Sequence, residues 1–274
     1  MVSELRPRGI GEILDSAVAL YRARFTKLVV VAATVVVPVQ VLSAIVLLSA
    51  QPDHFRLNVT GTVSPQYDTG SFATRLGATV TVAIIGVLST ALIVAVCARL
   101  VATAYIGDDA ATRDAVRAVR PRVFAIIGTS LLVLISEAIG LVFCFVGALV
   151  PLTLFAVAIP VLILEGVGVS AAIGRSVTLT KAHAMHVLGV VLTAQLLTVV
   201  LNAALAAGVS LVLRTGGSTT AVVIGQSIAN TIAGVLTTPF VAATVVALYF
   251  DLRIRDEAFD VQLLMQRNDA RIAV

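Results

Sequence analysis

The chain has 274 residues, of which 59% are hydrophobic and 12% charged, with a mean hydropathy of +1.05. Soluble domains carry about 25% charged residues, so a water-soluble globular fold is excluded and most of this polypeptide has to be solvated by lipid. The net charge of +4 does not mark a nucleic-acid binder: the basic residues, all Arg except Lys27 and Lys181, are divided among the ends of apolar segments instead of forming one patch. The Arg bias fits a GC-rich bacterial genome.

The first 27 residues carry Glu4, Arg6, Arg8, Glu12, Asp15, Arg22, Arg24 and Lys27. No small-residue cleavage site follows a short apolar core there, so the segment is expected to be retained instead of removed as a signal peptide. Within it Ile10, Ile13, Leu14, Ala17, Tyr21, Phe25 and Leu28 recur at helical spacing, while Glu12, Asp15, Arg22 and Lys27 take other angles. That pattern predicts an interfacial amphipathic helix.

Residues 28–52, 76–98, 187–213 and 215–250 contain no Asp, Glu, Lys or Arg, and each is long enough to cross a bilayer. Between Arg122 and Glu165 only Glu137 interrupts the apolar run. That length suits two helices joined by a tight turn, expected near Gly147 to Pro151 because Gly and Pro punctuate helices. The chain therefore reads as a single all-α membrane domain over 1–274, a polytopic bundle of six helices. Its spans are predicted at about 28–50, 76–98, 123–146, 150–165, 187–213 and 220–250.

Two further short helices are expected between spans. One is capped by Asp108-Asp109, carries Arg113, Arg117 and Arg120, and stops at Pro121; the other starts from a Ser170 cap and runs through Arg175 and Lys181. Of the 19 Lys and Arg, 16 fall on the side that holds both termini and three (Arg56, Arg75 and Arg214) on the other. Positive loops stay inside, which predicts a multi-pass protein of the bacterial cytoplasmic membrane with both termini cytoplasmic. Tyr21, Tyr105 and Tyr249 then stand where interfacial aromatic anchors are expected.

Intramembrane polar residues are the first candidates for function. Glu137 lies roughly 21 Å along its helix from residue 123, within the hydrocarbon, where a carboxylate needs a proton, a partner or water. Asn202 has similar depth, and Gln195 shares its helix face; Gln226 and Asn230 sit at i and i+4 on the last span. These five residues define a candidate polar seam, acting either as interhelical glue or as a site for a polar headgroup or protons. Pro38, Pro160 and Pro239 interrupt helix hydrogen bonding, and Gly225/Ala229/Ala233 and Ala204/Gly208 form small-residue stripes suited to close helix packing. Cys97 and Cys144 read as small packing residues. His183 and His186 have a spacing that could hold a metal, but without a nearby third ligand they read as an interfacial pair. No hydrolase elbow, zinc-protease helix, phosphate loop or dinucleotide fingerprint occurs, so neither enzymatic activity nor a cofactor nor a bound metal is expected.

The segment Arg6-Pro7-Arg8-Gly9-Ile10-Gly11-Glu12-Ile13-Leu14-Asp15, followed by Leu20-Tyr21-Arg22, resembles the start of a bacterial family of six-helix membrane proteins. That family is named for the membrane domain found in front of some glycerophosphoryl diester phosphodiesterases. Leu164-Glu165-Gly166, with Ala172-Ile173-Gly174-Arg175-Ser176 and Leu179-Thr180-Lys181, resembles its loop between helices 4 and 5. The stretch from Tyr249 through Asp251, Arg253 and Arg255 to Asp260 resembles its exit from helix 6. The resemblance implies an accessory or scaffold module connected with lipid or glycerophosphodiester metabolism. It implies no hydrolysis, because a phosphodiesterase barrel needs about 250 further residues. On this reading Arg6, Glu12, Asp15, Arg22, Glu165, Arg175, Asp251, Arg253 and Arg255 form a cytoplasmic surface for headgroups or a protein partner. Membrane lipids and a cytoplasmic or membrane protein are the expected partners, homo-oligomers are compatible with the small-residue stripes, and nucleic acid is not expected. The alternative is a carrier of a lipid-like or small polar solute that uses the seam around Glu137.

Overall fold

The computed structural model of the protein describes residues 9–49, 69–106, 112–143, 145–213 and 219–257. Among them all regular structure is helical: α1 (Ile10–Ala23), α2 (Phe25–Ser49), α3 (Thr69–Ile106), α4 (Thr112–Val119), α5 (Val123–Phe143), α6 (Phe145–Leu154), α7 (Ala158–Leu164), α8 (Val169–Lys181), α9 (Ala184–Leu213) and α10 (Thr219–Glu257). Six stretches are long and apolar enough to cross a membrane, in α2, α3, α4–α5, α6–α7, α9 and α10. The molecule is an all-α, multi-pass integral membrane bundle. Arg6, Asp108-Asp109, Cys144 and the 51–68 part of the predicted external loop lie outside the described residues.

Helix α10 is the central element, packing against α1, α2, α3, α7, α8 and α9. At 39 residues it is roughly 58 Å long, about twice the hydrocarbon thickness, so part of it stands clear of the acyl chains. Burial is uneven along it. Ala242, Ala243, Val246, Leu248, Tyr249 and Leu252 are buried, whereas Ile224, Ile228 and Ile232 are exposed. Exposed apolar side chains also line α2 (Val37, Val41, Ile45), α5 (Ile135, Ile139) and α9 (Leu196, Val200). Such a surface suits lipid and would be an aggregation patch in water.

Helix α1 has the predicted amphipathic pattern, but its apolar face is covered by protein. Ile13 joins the main core, Ala17 packs with Ala194, Phe240 and Ala243, and Leu20 meets Ala98, Val101 and Val246. A Cβ placed on Gly189 would lie 2.7 Å from Ile10 Cδ1, so α1 docks closely on α9 there and an added side chain would displace the tip of Ile10. Tyr21 donates a hydrogen bond to the Leu236 carbonyl at 3.1 Å and meets Phe25 and Phe240 edge to face. Burial raises the Tyr21 phenol above its ordinary pKa, which keeps the proton it donates. Tyr21 and Tyr249 therefore point into the bundle and are not interfacial anchors; Tyr249 is fully buried.

Three local expectations are corrected. The turn between the third and fourth spans falls between Phe143 and Phe145, not at Gly147–Pro151, and Pro151 lies inside α6. Gly140 and Gly147 face each other across this turn, a Cβ on either standing 2.6 Å from the other's carbonyl oxygen. The glycines are needed for close approach of two backbones, and the chain reverses where they can pair. Second, α8 is capped by Gly168, so Ser170 sits in its first turn. Third, Ala204 and Gly208 are open, with nothing within 4 Å of a Cβ at Gly208; only Ala229 and Ala233 of the small-residue stripes are buried.

The fourth span is itself broken at Phe155–Val157. Pro160 sits in the first turn of α7, where its missing N–H costs least. The carbonyl of Leu154, freed by the break, accepts the hydroxyls of Ser176 at 2.8 Å and Thr180 at 3.1 Å, both fully buried on α8. Backbone polar groups inside a membrane protein have to be satisfied in this way.

Two predictions follow from these contacts. Gly140→Ala should destabilise the protein by about 1–3 kcal/mol through overpacking, measured by reversible unfolding in mixed detergent micelles, while Gly174→Ala, with nothing within 4 Å of its Cβ, should not destabilise it. In the same assay the double variant S176A/T180V should lose about 1–3 kcal/mol, and each single variant less, because one hydroxyl still reaches Leu154.

Candidate functional site

Helix α5 carries Glu137 into a cavity of about 180 Å³ bounded by α5, α6, α9 and α10. Its wall is largely apolar, with Leu152, Val190, Val245 and Leu248 among the lining residues; the polar side chains are Glu137, Gln195 and Thr244. Gln195 is exposed and Glu137 half-buried. Gln195 is flanked on α9 by exposed Leu192 and Leu196, so the cavity opens at the apolar side of the bundle. Thr244 returns its hydroxyl to the Phe240 carbonyl at 3.0 Å. Neither Glu137 nor Gln195 makes a hydrogen bond or ion pair among the described residues.

The structure brings together two of the five polar residues singled out in the sequence. Asn202 donates to the carbonyl of Thr198 on its own helix at 2.8 Å, while Gln226 is half-buried and Asn230 exposed; none of the three lines the cavity. The predicted seam thus contracts to Glu137 and Gln195. Thr244 adds a third polar member that sequence reasoning missed, since one Thr in an apolar span carries no signal.

The charged residues gather at one end of the bundle, where α7 ends, α8 and α9 begin and α10 finishes. Arg175 Nε donates to both oxygens of Glu165 at 3.4 and 3.3 Å, and the Tyr249 hydroxyl donates to Glu165 Oε1 at 3.0 Å. The Arg253 guanidinium lies 5.8 Å from the Tyr249 ring centroid, within cation–π range. Arg122 Nη1 donates to the Leu162 carbonyl at 3.2 Å, and Gly166, at φ +74°, leaves room for that guanidinium where a Cβ would come within 3.1 Å of Nη2. Asp251 is 2% exposed, so it is not part of a surface. Arg255 Nε donates to its Oδ2 at 2.7 Å, and His186 Nε2 lies 3.4 Å from the same oxygen. His183 Nδ1 stands 3.6 Å from Asp256 Oδ1. Neither histidine approach is a hydrogen bond, since His183 Nδ1 and His186 Nε2 are buried without a hydrogen-bond partner among the described residues; that the two rings lie beside the carboxylates of α10 is something their own spacing could not show. Among the described residues no group of three His, Cys, Asp or Glu is arranged to hold a metal.

The remaining members of the expected surface are Glu12, Asp15 and Arg22, all exposed on α1. Glu12 is committed locally, accepting the Gly9 backbone N–H at 2.9 Å as a helix cap.

The chain matches no family model, no curated protein and no solved structure.

Asp251→Ala should destabilise the protein by about 3 kcal/mol, the lower end of the range for breaking a buried ion pair because Arg255 keeps 20% exposure. A double-mutant cycle of D251N with R255Q, read by unfolding in mixed micelles, should show favourable coupling.

Proposed function

We propose that this integral membrane protein is a non-enzymatic carrier that binds an amphipathic, lipid-like solute in the lateral cavity. Glu137 and Gln195 engage the polar head, and the apolar wall holds the first part of the tail. One observation carries the reading: a carboxylate without a partner among the described residues borders a side-opening cavity whose other walls are mostly apolar. At about 180 Å³ the space equals the liquid volume of about six waters, which suits a headgroup and not a whole lipid. An ammonium or hydroxyl head supplies the donors that Glu137 lacks. The accessory-module reading has less support, because Glu165, Arg175, Asp251 and Arg255 are engaged in ties between or along helices of this chain. Placement in the bacterial cytoplasmic membrane with both termini inside, and a connection to glycerophosphodiester metabolism, belong to the same proposal and rest on the charge distribution and on the sequence resemblance.

The test is native mass spectrometry of the protein released from its own membranes, wild type beside E137Q and the cavity-filling A156F. A small amphiphile retained by the wild type should fall by about tenfold in E137Q, the loss expected when a charge-assisted hydrogen bond worth about 1.5–3 kcal/mol is removed, and should be absent from A156F. Identical lipid complements in all three would overturn the proposal.

A further inference from the structure

Helix α4 has two faces of opposite character. Ala115 and Val119 are buried, with α3 beside the helix. Arg113, Val116, Arg117 and Arg120 follow the i, i+3, i+4, i+7 pattern and so share the other face. With Thr112 they border a shallow groove of about 370 Å³, and Val116 is 47% exposed between the guanidinium groups. None of the three arginines makes an ion pair or hydrogen bond among the described residues. This separates them from Arg122, Arg175, Arg253 and Arg255, which are held by other groups of the chain.

Position identifies what the face meets. The helical path from Thr112 through the 3-10 turn Arg120–Arg122 into α5 forms one continuous candidate span, with exposed Phe124 only four residues beyond Arg120. The arginines therefore stand where the span leaves the hydrocarbon, at the depth of lipid headgroups. Guanidinium groups pair with phosphate through parallel N–H donors, and an exposed valine among them suits the upper acyl chain better than water. The geometry points to a binding site for the headgroup phosphate of an anionic phospholipid on the Arg113–Arg117–Arg120 face of α4. The site is independent of the Glu137 cavity, which lies among α5, α6, α9 and α10.

The test uses the full-length protein reconstituted in bilayers holding equal amounts of phosphatidylglycerol and phosphatidylcholine, with bound lipid counted by native mass spectrometry. The wild type should retain phosphatidylglycerol preferentially. R117Q should reduce that preference about fivefold, from about 1 kcal/mol per basic residue near the surface, and R113Q/R117Q/R120Q should abolish it. The charge-preserving R113K/R117K/R120K, which keeps the charges and loses the parallel donors, should keep part of it, between wild type and the triple glutamine variant, and K181Q, which removes an exposed charge elsewhere, should leave it unchanged. Lack of preference in the wild type, or an equal fall in K181Q, would overturn the site. So would inorganic phosphate competing as well as the lipid does, since it would show a soluble anion to be the ligand. The lysine and single-glutamine variants keep the question answerable if the triple glutamine variant fails to fold.

Discussion

A backbone carbonyl or amide inside a membrane bundle has no water to turn to, and that constraint organises this molecule. Its hydroxyl side chains mostly return to their own helices: Thr34 to Val30, Thr81 to Gly77, Ser130 to Ile126 and Thr193 to Gly189, each four residues back. Where the helix itself is interrupted, help comes from elsewhere. Ser176 and Thr180 cover the open carbonyl at the α6–α7 break. The break in the fourth span is thus answered by neighbouring side chains, which makes it a packing solution that needs no transport role.

Against that background two groups of ionic residues contrast. One set fastens the charged end: Glu165 joins α8 to α10 through Arg175 and Tyr249, and Asp251 holds Arg255 along α10. These contacts lie around the best-buried stretch of α10. A buried carboxylate such as Asp251 is costly alone and tolerable with its guanidinium. The ties are therefore conditional on each other, which gives this end one preferred arrangement. The second set, on α4, has no internal obligation.

Much of the architecture was legible because hydrocarbon imposes a simple rule on sequence. Charge-free runs located the spans to within a few residues at several boundaries, and the periodicity of Ile10, Ile13 and Ala17 located α1. What α1 packs against was not legible, since an amphipathic face does not say whether lipid or protein covers it. The misplaced turn has a related cause. Gly147 was read as a breaker from local propensity, but its conformation is helical and its missing side chain serves Gly140 on the facing helix. The carboxylates that His183, His186 and Tyr249 face lie 65 or more residues away in the chain, and no spacing rule reaches that far. Asp251–Arg255 and Tyr249–Arg253, both i,i+4 pairs, had a local signature, and Glu165–Arg175 was within reach across the short segment that joins α7 to α8.

Glu137 was legible as an exception, and its environment now separates the explanations for it. Interhelical glue requires a partner across a helix interface, and Glu137 has none among the described residues. Asn202 shows how a polar side chain at comparable depth is satisfied cheaply, by turning to its own backbone. An ionised carboxylate cannot do this, because the helix carbonyls near it are acceptors too. It needs a donor, and the groups beside it offer few: Gln195 has an amide to spare, whereas Thr244 has already given its hydroxyl to Phe240. On the proposed carrier reading, an ionised Glu137 would make the cavity discriminate among occupants. A purely apolar chain leaves the carboxylate unsatisfied, an anionic head adds repulsion, and a head with ammonium or hydroxyl protons meets both Glu137 and the carbonyl of Gln195. The proposed preference for a donor-bearing head thus rests on the chemistry of the wall and not on the identity of the lipid-like molecule.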